Sequence, residues 1–235
     1  MDFGTVRENL ARVREHIALI QAREGLDHRV TIVGVTKGHP AEAVRAASQG
    51  GLRDIGENRV QEALKKLEQV GRQSLRWHLI GHLQTNKAKY VPGVFDMVHS
   101  VDSDKVAAAL RSAWERRAAA KGDREPMEIL LQVNLAGEEQ KTGCPPELAT
   151  ELAHAMVASQ ALRLRGVMTM APLTGDVKIQ RRVFAALREI RDTLRRDGLD
   201  VPELSMGMSA DYEAAIAEGS TMVRLGTVLF GERET

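Results

Sequence analysis

The chain has a single cysteine, Cys144, among its 235 residues, so it cannot form an internal disulfide. A lone thiol is typical of a reducing compartment, and we expect a cytoplasmic protein. Aromatic residues make up 3% of the chain, which leaves few rings to stack on nucleic-acid bases. The formal net charge of +1 also argues against a dedicated nucleic-acid or membrane surface.

Long hydrophobic runs are missing as well. No apolar run reaches the roughly 18 residues of a membrane span, and the N-terminus has no secretory signal pattern. Hydrophobic residues still make up 43% of the chain, as in a soluble protein with a large core. The sequence has no long apolar stripe that would remain exposed and pair with a second subunit, so we expect a monomer.

Short apolar segments alternate with amphipathic segments from residue 30 onward. Before them, apolar residues recur every three or four positions from Val6 to Ile20, which predicts a helix that ends at Gly25. The predicted strands lie near 30–36, 53–55, 76–80, 96–100, 127–133, 163–168, 203–206 and 223–226. The predicted helices lie near 40–49, 57–70, 85–91, 102–121, 145–159, 176–197 and 209–218, with Asp102 and Ser209 as N-caps.

Eight strands separated by helices indicate parallel crossovers, and eight is the number that closes a (β/α)8 TIM barrel. Only LFGERET follows the last strand, so the extra N-terminal helix, within residues 1–25, is expected to pack on the barrel and fill the gap in its outer ring. An open doubly wound sheet would carry a G-x-G-x-x-G turn, which the sequence lacks. No linker divides the chain, so we expect one domain over residues 1–235.

Polar and ionisable residues recur where the apolar strands stop. In a barrel, the loops at the carboxyl ends of the strands build the working face, so these side chains are expected to share one mouth. They are Lys37, Glu57, Asn58, His82, Ser100, Asp102, Asn134, Thr169, Ser205 to Ser209, and Arg224 to Thr227.

Two segments after the seventh and eighth strands have the features of a phosphate site. In SMGMSADYEAAIAEG, small residues lead into a predicted helix whose first turn contains Ser209. In VRLGTVLFG, Gly226 and Thr227 follow the strand, where bare backbone can approach an anion. An ordinary N-cap and an ordinary turn glycine explain each segment alone. Together, at the common phosphate position of a barrel, they favour phosphate binding.

Lys37 ends the apolar strand of VTIVGVTKGHP. Most lysines at such a place extend to water, but desolvation at a barrel mouth favours the uncharged amine, which attacks carbonyl groups. A lysine that faces a phosphate cradle predicts a phosphorylated aldehyde held as a Schiff base, with pyridoxal 5′-phosphate (PLP) as the candidate. Arg224 is then expected near the pyridine nitrogen.

Five segments closely resemble the pyridoxal phosphate homeostasis protein family: VTK, GENRVQEALKK, WHLIGHLQTNK, LRGVMTM and LSMGMSADYEAAIAEGSTMVRLGTVLFGER. The likeness runs from about residue 5 to the C-terminus and implies a barrel similar to the N-terminal domain of alanine racemase. It also implies that Lys37 carries PLP, that Ser209, Gly226 and Thr227 hold the phosphate, and that Arg224 lies beside the ring nitrogen. Asn58, His82 and Met208 are implied as pocket residues.

Three other features are given structural interpretations. His78 and His82 are four residues apart, but WHLIGHL is predicted as strand and loop, so no metal site is expected. Cys144 is interpreted as an incidental small residue rather than a reactive thiolate. The basic helix at 181–197 has one apolar face and is interpreted as a solvated cover of the sheet.

Two function classes remain open from the sequence. One is a carrier that buffers PLP or delivers it to PLP-dependent apoenzymes without turnover. The other is a PLP-dependent amino-acid racemase, which needs proton-transfer groups on both faces of its substrate. Lys37 supplies one face, but neither Tyr90 nor Tyr212 lies at a strand end. The second domain that supplies such a tyrosine in alanine racemase is also not expected here, so the carrier is favoured.

Overall fold

The computed structural model describes residues 3–122, 125–137 and 142–232 and has a closed barrel of eight parallel strands at its centre. Each strand pairs with the next along the chain, and the eighth pairs with the first, which confirms the predicted barrel. The strands are β1 (Thr31–Val35), β2 (Asp54–Glu57), β3 (Arg76–Leu79), β4 (Met97–Val101), β5 (Met127–Gln132), β6 (Leu162–Met168), β7 (Glu203–Met208) and β8 (Met222–Leu225).

Helices follow the strands and form an outer layer. They are α1 (Val6–Glu24), α2 (Ala41–Gln49), α3 (Val60–Val70), α4 (Asp104–Lys121), α5 (Ala149–Val157), α6 (Val177–Arg196), α7 (Tyr212–Ala217) and α8 (Thr227–Phe230). Two 3₁₀ helices, Thr85–Tyr90 and Pro146–Leu148, complete the set in the described part of the chain. None of the described helices is both long and apolar enough to span a membrane.

Helix α1 packs on the barrel beside the short last helix. Its apolar face is buried, and it contacts α2, α7 and α8. Gly25 ends it in a left-handed conformation, at φ 69°. The Nδ2 of Asn9 donates to the carbonyl oxygen of Leu229 at 3.0 Å, which joins the first helix to the last. The N-terminal helix therefore covers the position that the four-residue α8 leaves open.

Four predicted helix starts were wrong. The helix predicted from residue 145 begins as the 3₁₀ helix Pro146–Leu148, and α5 itself starts at Ala149. Helix α7 begins at Tyr212 with Asp211 at its N-cap position, so Ser209 lies in the preceding loop rather than in the first turn. Strand β7 continues to Met208 because a bulge, marked by a register shift after Ser205, lengthens it. Helix α4 has Ser103 rather than Asp102 at its N-cap, since the extended backbone continues through Ser103. Helix α3 starts at Val60 because β2 extends through Glu57.

The inside of the barrel is filled by two kinds of side chain. Four buried residues from four strands form a small apolar cluster of their own: Met97, Leu130, Met168 and Met222. Buried polar residues lie there as well, and His99 on β4 bonds Ser205 on β7, a strand that is not its neighbour. A bond between such strands crosses the interior. The barrel therefore buries polar groups where apolar layers are the usual filling.

Candidate cofactor site at the barrel mouth

A cavity of about 500 Å³ lies at the carboxyl ends of the strands. All eight residues that the sequence predicted for the site line it: Lys37, Asn58, His82, Met208, Ser209, Arg224, Gly226 and Thr227. Val35, Ile80 and Met170 add apolar wall, and Gln132 and Thr142 add polar groups. The cavity is large enough for a small aromatic ligand, and its lining combines apolar surface with a few convergent polar groups.

Lys37 follows β1 in a turn whose backbone is held on both sides. The Nζ of Lys66 donates to the carbonyl oxygen of Thr36 at 2.6 Å, and the Gly38 N–H donates to Glu62 Oε1 at 2.7 Å. Gly38 has φ 72°, a conformation that favours glycine. The residues before and after the lysine are thus both fixed to helix α3.

Beneath this turn lies a buried ion cluster, formed by Thr36, Glu57, Glu62 and Lys66 and called here the lysine brace. Lys66 Nζ lies 2.7 Å from Glu57 Oε1 and 2.9 Å from Glu62 Oε1. The Glu57 side chain is fully buried and also accepts from the Thr36 hydroxyl at 2.5 Å. Burial raises the pKa of the Glu57 carboxyl, while Lys66 opposes the shift. Three members of the GENRVQEALKK segment therefore support the turn that carries Lys37.

Ser209 lies where the loops after β7 and β8 meet. Its Oγ accepts from the Gly226 N–H at 3.2 Å and from the Val228 N–H at 3.4 Å. Gly207, just before this loop, permits the close packing of β7 against α7: its φ is 96°, and a Cβ there would lie 2.6 Å from that of Ala215. Two backbone donors and a hydroxyl thus converge on one point of the cavity wall, an arrangement suited to an anion.

Arg224 comes from β8 and is 4% exposed at the floor of the cavity. Its Nη1 donates to Ser205 Oγ at 2.6 Å, and its Nη2 donates to the Thr169 carbonyl oxygen at 2.9 Å. Burial lowers the pKa of the guanidinium to about 10, against the opposing effect of Asp211, so it remains charged at neutral pH. A buried cation is thus fixed within reach of any ligand in the cavity.

The remaining predicted residues form the side wall and rim. A Cβ at Gly81 would lie 2.5 Å from the Asn58 carbonyl oxygen, so glycine permits the third loop to pack against Asn58. His82 is half-exposed, with its Nδ1 3.8 Å from Asp102 Oδ2. Met208 is 37% exposed at the rim. These residues shape the opening of the cavity, whereas Arg224 forms its charged floor.

The sequence analysis did not assign a role to four residues that build this site. Ser205 and Thr169, which hold Arg224, were noted only as polar residues at strand ends. Glu57 was expected at the mouth as a strand-end residue, but it does not line the cavity and lies in the lysine brace instead. Lys66 belongs to a recognised segment, but no role followed from it. The signal that was available is the charge itself, since Lys66 occupies a buried position of an amphipathic helix and buried charges are normally paired.

His78, Cys144 and the two tyrosines lie outside the mouth cavity. His78 is fully buried inside the barrel, away from the half-exposed His82, and the described residues contain no group of three or more His, Cys, Asp or Glu side chains placed to hold a metal ion. Cys144 is buried, and burial raises the pKa of its thiol to about 12, which disfavours the thiolate. The Tyr212 hydroxyl lies 2.7 Å from His16 Nδ1, and neither Tyr212 nor the exposed Tyr90 lines the cavity.

Residues 5–234 match the family model described as alanine racemase, N-terminal domain. The pyridoxal phosphate homeostasis protein of Pseudomonas aeruginosa is 45% identical over 232 residues, which cover 98% of this chain and 97% of that protein. The protein of the same name from Aquifex aeolicus is 41% identical, covering 97% of this chain and 98% of that one. These relatives match along nearly their whole length.

Among solved structures, PipY of Synechococcus elongatus with PLP bound is similar, with a TM-score of 0.82 and 36% identity. The match covers 96% of this chain and 100% of that one. An alanine racemase of Clostridium difficile gives a TM-score of 0.77 at 15% identity, covering 99% of this chain and 60% of the racemase. At that identity the second likeness shows the fold alone.

Proposed function

The chain belongs to the pyridoxal phosphate homeostasis protein family, and from this membership we propose that it binds PLP in the mouth cavity through Lys37. The observation that carries the proposal is the meeting of three groups around one cavity: an amine, a buried guanidinium and a cradle of N–H and hydroxyl donors. PLP has an aldehyde, a pyridine nitrogen and a phosphate, which match these groups in kind. A phosphorylated ligand without a carbonyl group could not form a C=N bond with Lys37.

Each group of the site has a task in this proposal. The Lys37 amine attacks the aldehyde carbon, and a C=N bond replaces C=O with release of one water. This reversible Schiff base keeps the cofactor on the protein and allows its later release. Ser209, Gly226 and Thr227 hold the phosphate through a hydroxyl and backbone N–H groups. Arg224 donates a hydrogen bond toward the ring nitrogen, and PLP supplies the electron-withdrawing ring.

We further propose that the protein is a carrier that works in PLP homeostasis without turnover. A racemase requires a second proton-transfer group opposite the lysine, and neither tyrosine of this chain lines the cavity. An arginine, which keeps its own proton, also leaves the ring a weaker electron sink than a protonating carboxylic acid would. In this role we place the protein in the cytoplasm, as a monomer that supplies PLP-dependent apoenzymes.

The phosphate assignment predicts a selective loss of affinity. Replacing Ser209 and Thr227 together by Ala is expected to weaken PLP binding by about a hundredfold or more, since two hydrogen bonds to a charged group contribute about 1.5–3 kcal/mol each. Binding of pyridoxal, which lacks the phosphate, should change little. Fluorescence titration with both ligands measures the difference, and Ser112→Ala on α4, which lies outside the cavity lining, is the control. An equal loss for both ligands would place the phosphate elsewhere.

The carrier proposal predicts slow exchange at the α-carbon. Wild-type protein loaded with PLP and mixed with L- or D-alanine in D₂O should exchange the α-proton no faster than free PLP does. Proton NMR and chiral analysis measure exchange and racemisation, and Arg224→Ala should alter only cofactor retention and spectrum. Turnover near ordinary enzyme rates, about one per second or more, that disappears in Arg224→Ala would instead establish the racemase.

A further inference from the structure

A continuous line of hydrogen bonds crosses the barrel interior from the cavity floor toward the opposite end. We call Arg224, Ser205, His99, His78 and Asp54 the interior relay. Arg224 Nη1 lies 2.6 Å from Ser205 Oγ, and His99 Nδ1 lies 2.9 Å from the same oxygen. The two imidazole rings meet at 2.9 Å, from His99 Nε2 to His78 Nδ1. His78 Nε2 lies 2.9 Å from Asp54 Oδ1.

With both rings neutral, the two ends of the interior relay fix the direction of every bond. The Asp54 carboxylate only accepts, so His78 Nε2 carries a proton, and in a neutral ring His78 Nδ1 accepts from His99 Nε2. His99 Nδ1 then accepts from the Ser205 hydroxyl. At the other end Arg224 only donates, which leaves the Ser205 hydrogen free for His99, so both ends lead to the same assignment.

The surroundings of His99 favour its neutral form. His99 is fully buried, and burial together with His78, Arg224 and Arg76 holds its pKa well below the ordinary value. Asp54, at the far end, lies 3.8 Å from Arg76 Nη1 and borders a second cavity of about 230 Å³ at the base of the barrel. The interior relay therefore runs from a buried cation to a carboxylate, with every bond pointing the same way, and bonds so aligned strengthen one another.

We propose that His99, acting through Ser205, is the positioning residue that holds Arg224 toward the ring nitrogen of the cofactor. The inference rests on the proposed function, because it assigns Arg224 a ligand. With its single hydrogen committed to His99, Ser205 presents only lone pairs to the guanidinium. The Ser205 and Thr169 bonds use two of the five N–H groups of Arg224, and the others remain for a ligand in the cavity that Arg224 lines.

The first test uses the unliganded protein. Proton–nitrogen NMR of ¹⁵N-histidine-labelled protein is expected to show both His78 and His99 as neutral rings protonated at Nε2 at neutral pH. The single substitutions His78→Gln and His99→Gln show which signal belongs to which ring. A ring protonated at Nδ1, or doubly protonated, would overturn the interior relay whether or not PLP binds.

The second test compares two substitutions of His99. Phenylalanine is similar in size to histidine but cannot make the hydrogen bonds to Ser205 and His78. Glutamine supplies an acceptor for Ser205 and a donor for His78 in their place. Each variant is titrated with PLP and with its 1-deaza analogue, in which C–H replaces the ring nitrogen. Wild type should prefer PLP by about tenfold or more. His99→Phe should lose most of this preference, and His99→Gln and the surface control His154→Gln should retain it.

The outcomes separate the two proposals. If wild type binds neither aldehyde, the proposed function fails. If wild type prefers PLP but His99→Phe weakens both ligands equally, His99 is merely structural and the inference is overturned. Should His99→Phe fail to fold, Ser205→Ala removes the acceptor of Arg224 directly and is expected to lose the same preference. An unchanged preference in Ser205→Ala would contradict the positioning role.

Discussion

Replacing Lys37 by Ala is expected to abolish the covalent attachment of PLP. Wild-type protein treated with PLP and then borohydride should carry one stable pyridoxyl group, and peptide mass mapping should place it on Lys37. The variant should carry almost none, because Lys37 is the lysine that lines the mouth cavity among the described residues. Its position at the end of β1 faces the cavity together with Arg224 and Ser209.

Two controls make this result specific to the site. Lys37→Arg keeps a cation but cannot form the C=N bond, so it should behave like Lys37→Ala in the borohydride experiment. Lys87→Ala, which removes a lysine lining a neighbouring surface pocket, should leave the labelling unchanged. Label found mainly on Lys87, Lys89 or Lys141 in wild type would refute the assignment; Lys141 lies outside the described residues.

Lys66→Met should produce the largest loss of stability among single substitutions near the site. The change removes the partner of Glu57, whose side chain is fully buried, and also the donor to the Thr36 carbonyl oxygen. Breaking a buried ion pair in this way costs about 3–5 kcal/mol of the free energy of unfolding. For a domain of this size that corresponds to a fall in melting temperature of roughly 6–20 °C.

The neighbouring residue gives a matched control. Lys65 precedes Lys66 on α3 and is exposed, so Lys65→Met should change the melting temperature by only a degree or two. Adding Glu57→Gln to Lys66→Met removes the uncompensated charge and should recover more than half of the loss. Thermal unfolding followed by circular dichroism measures all three proteins. Equal effects of Lys65→Met and Lys66→Met would show that the lysine brace contributes nothing.

The barrel was predictable because its strands are short, apolar and regularly interrupted. The site was predictable in outline for a related reason: in a parallel barrel all strands end at one face, so the polar residue after each strand must come near the others. Lys37, Arg224 and Ser209 were therefore identified as neighbours although up to 187 positions separate them, from 37 to 224.

Contacts across the barrel interior, and contacts between the strands and the outer helices, were not predictable in this way. His99 and Ser205 are 106 residues apart on strands that do not pair, so no periodicity relates them. Lys66 on α3 donates to the Thr36 carbonyl oxygen, 30 residues earlier in the chain. This contact depends on how α3 packs against the end of β1, which no sequence pattern indicates. The start of α7 was misplaced because the left-handed Gly207 and the bulge in β7 lengthen the strand, and tertiary contact with Ala215 decides that local geometry.

The pairing of β1 with β8 has a consequence for how the protein is made. Thr31 on β1 lies beside Met222 on β8, so the barrel closes between the beginning and the end of the chain. During synthesis, β1, which precedes Lys37, leaves the ribosome well before its last neighbour β8. Contacts between such distant segments form slowly, because a long loop must be closed first. We therefore expect cofactor loading to occur only after β8 has been synthesised, so PLP binds the closed barrel and does not guide its folding.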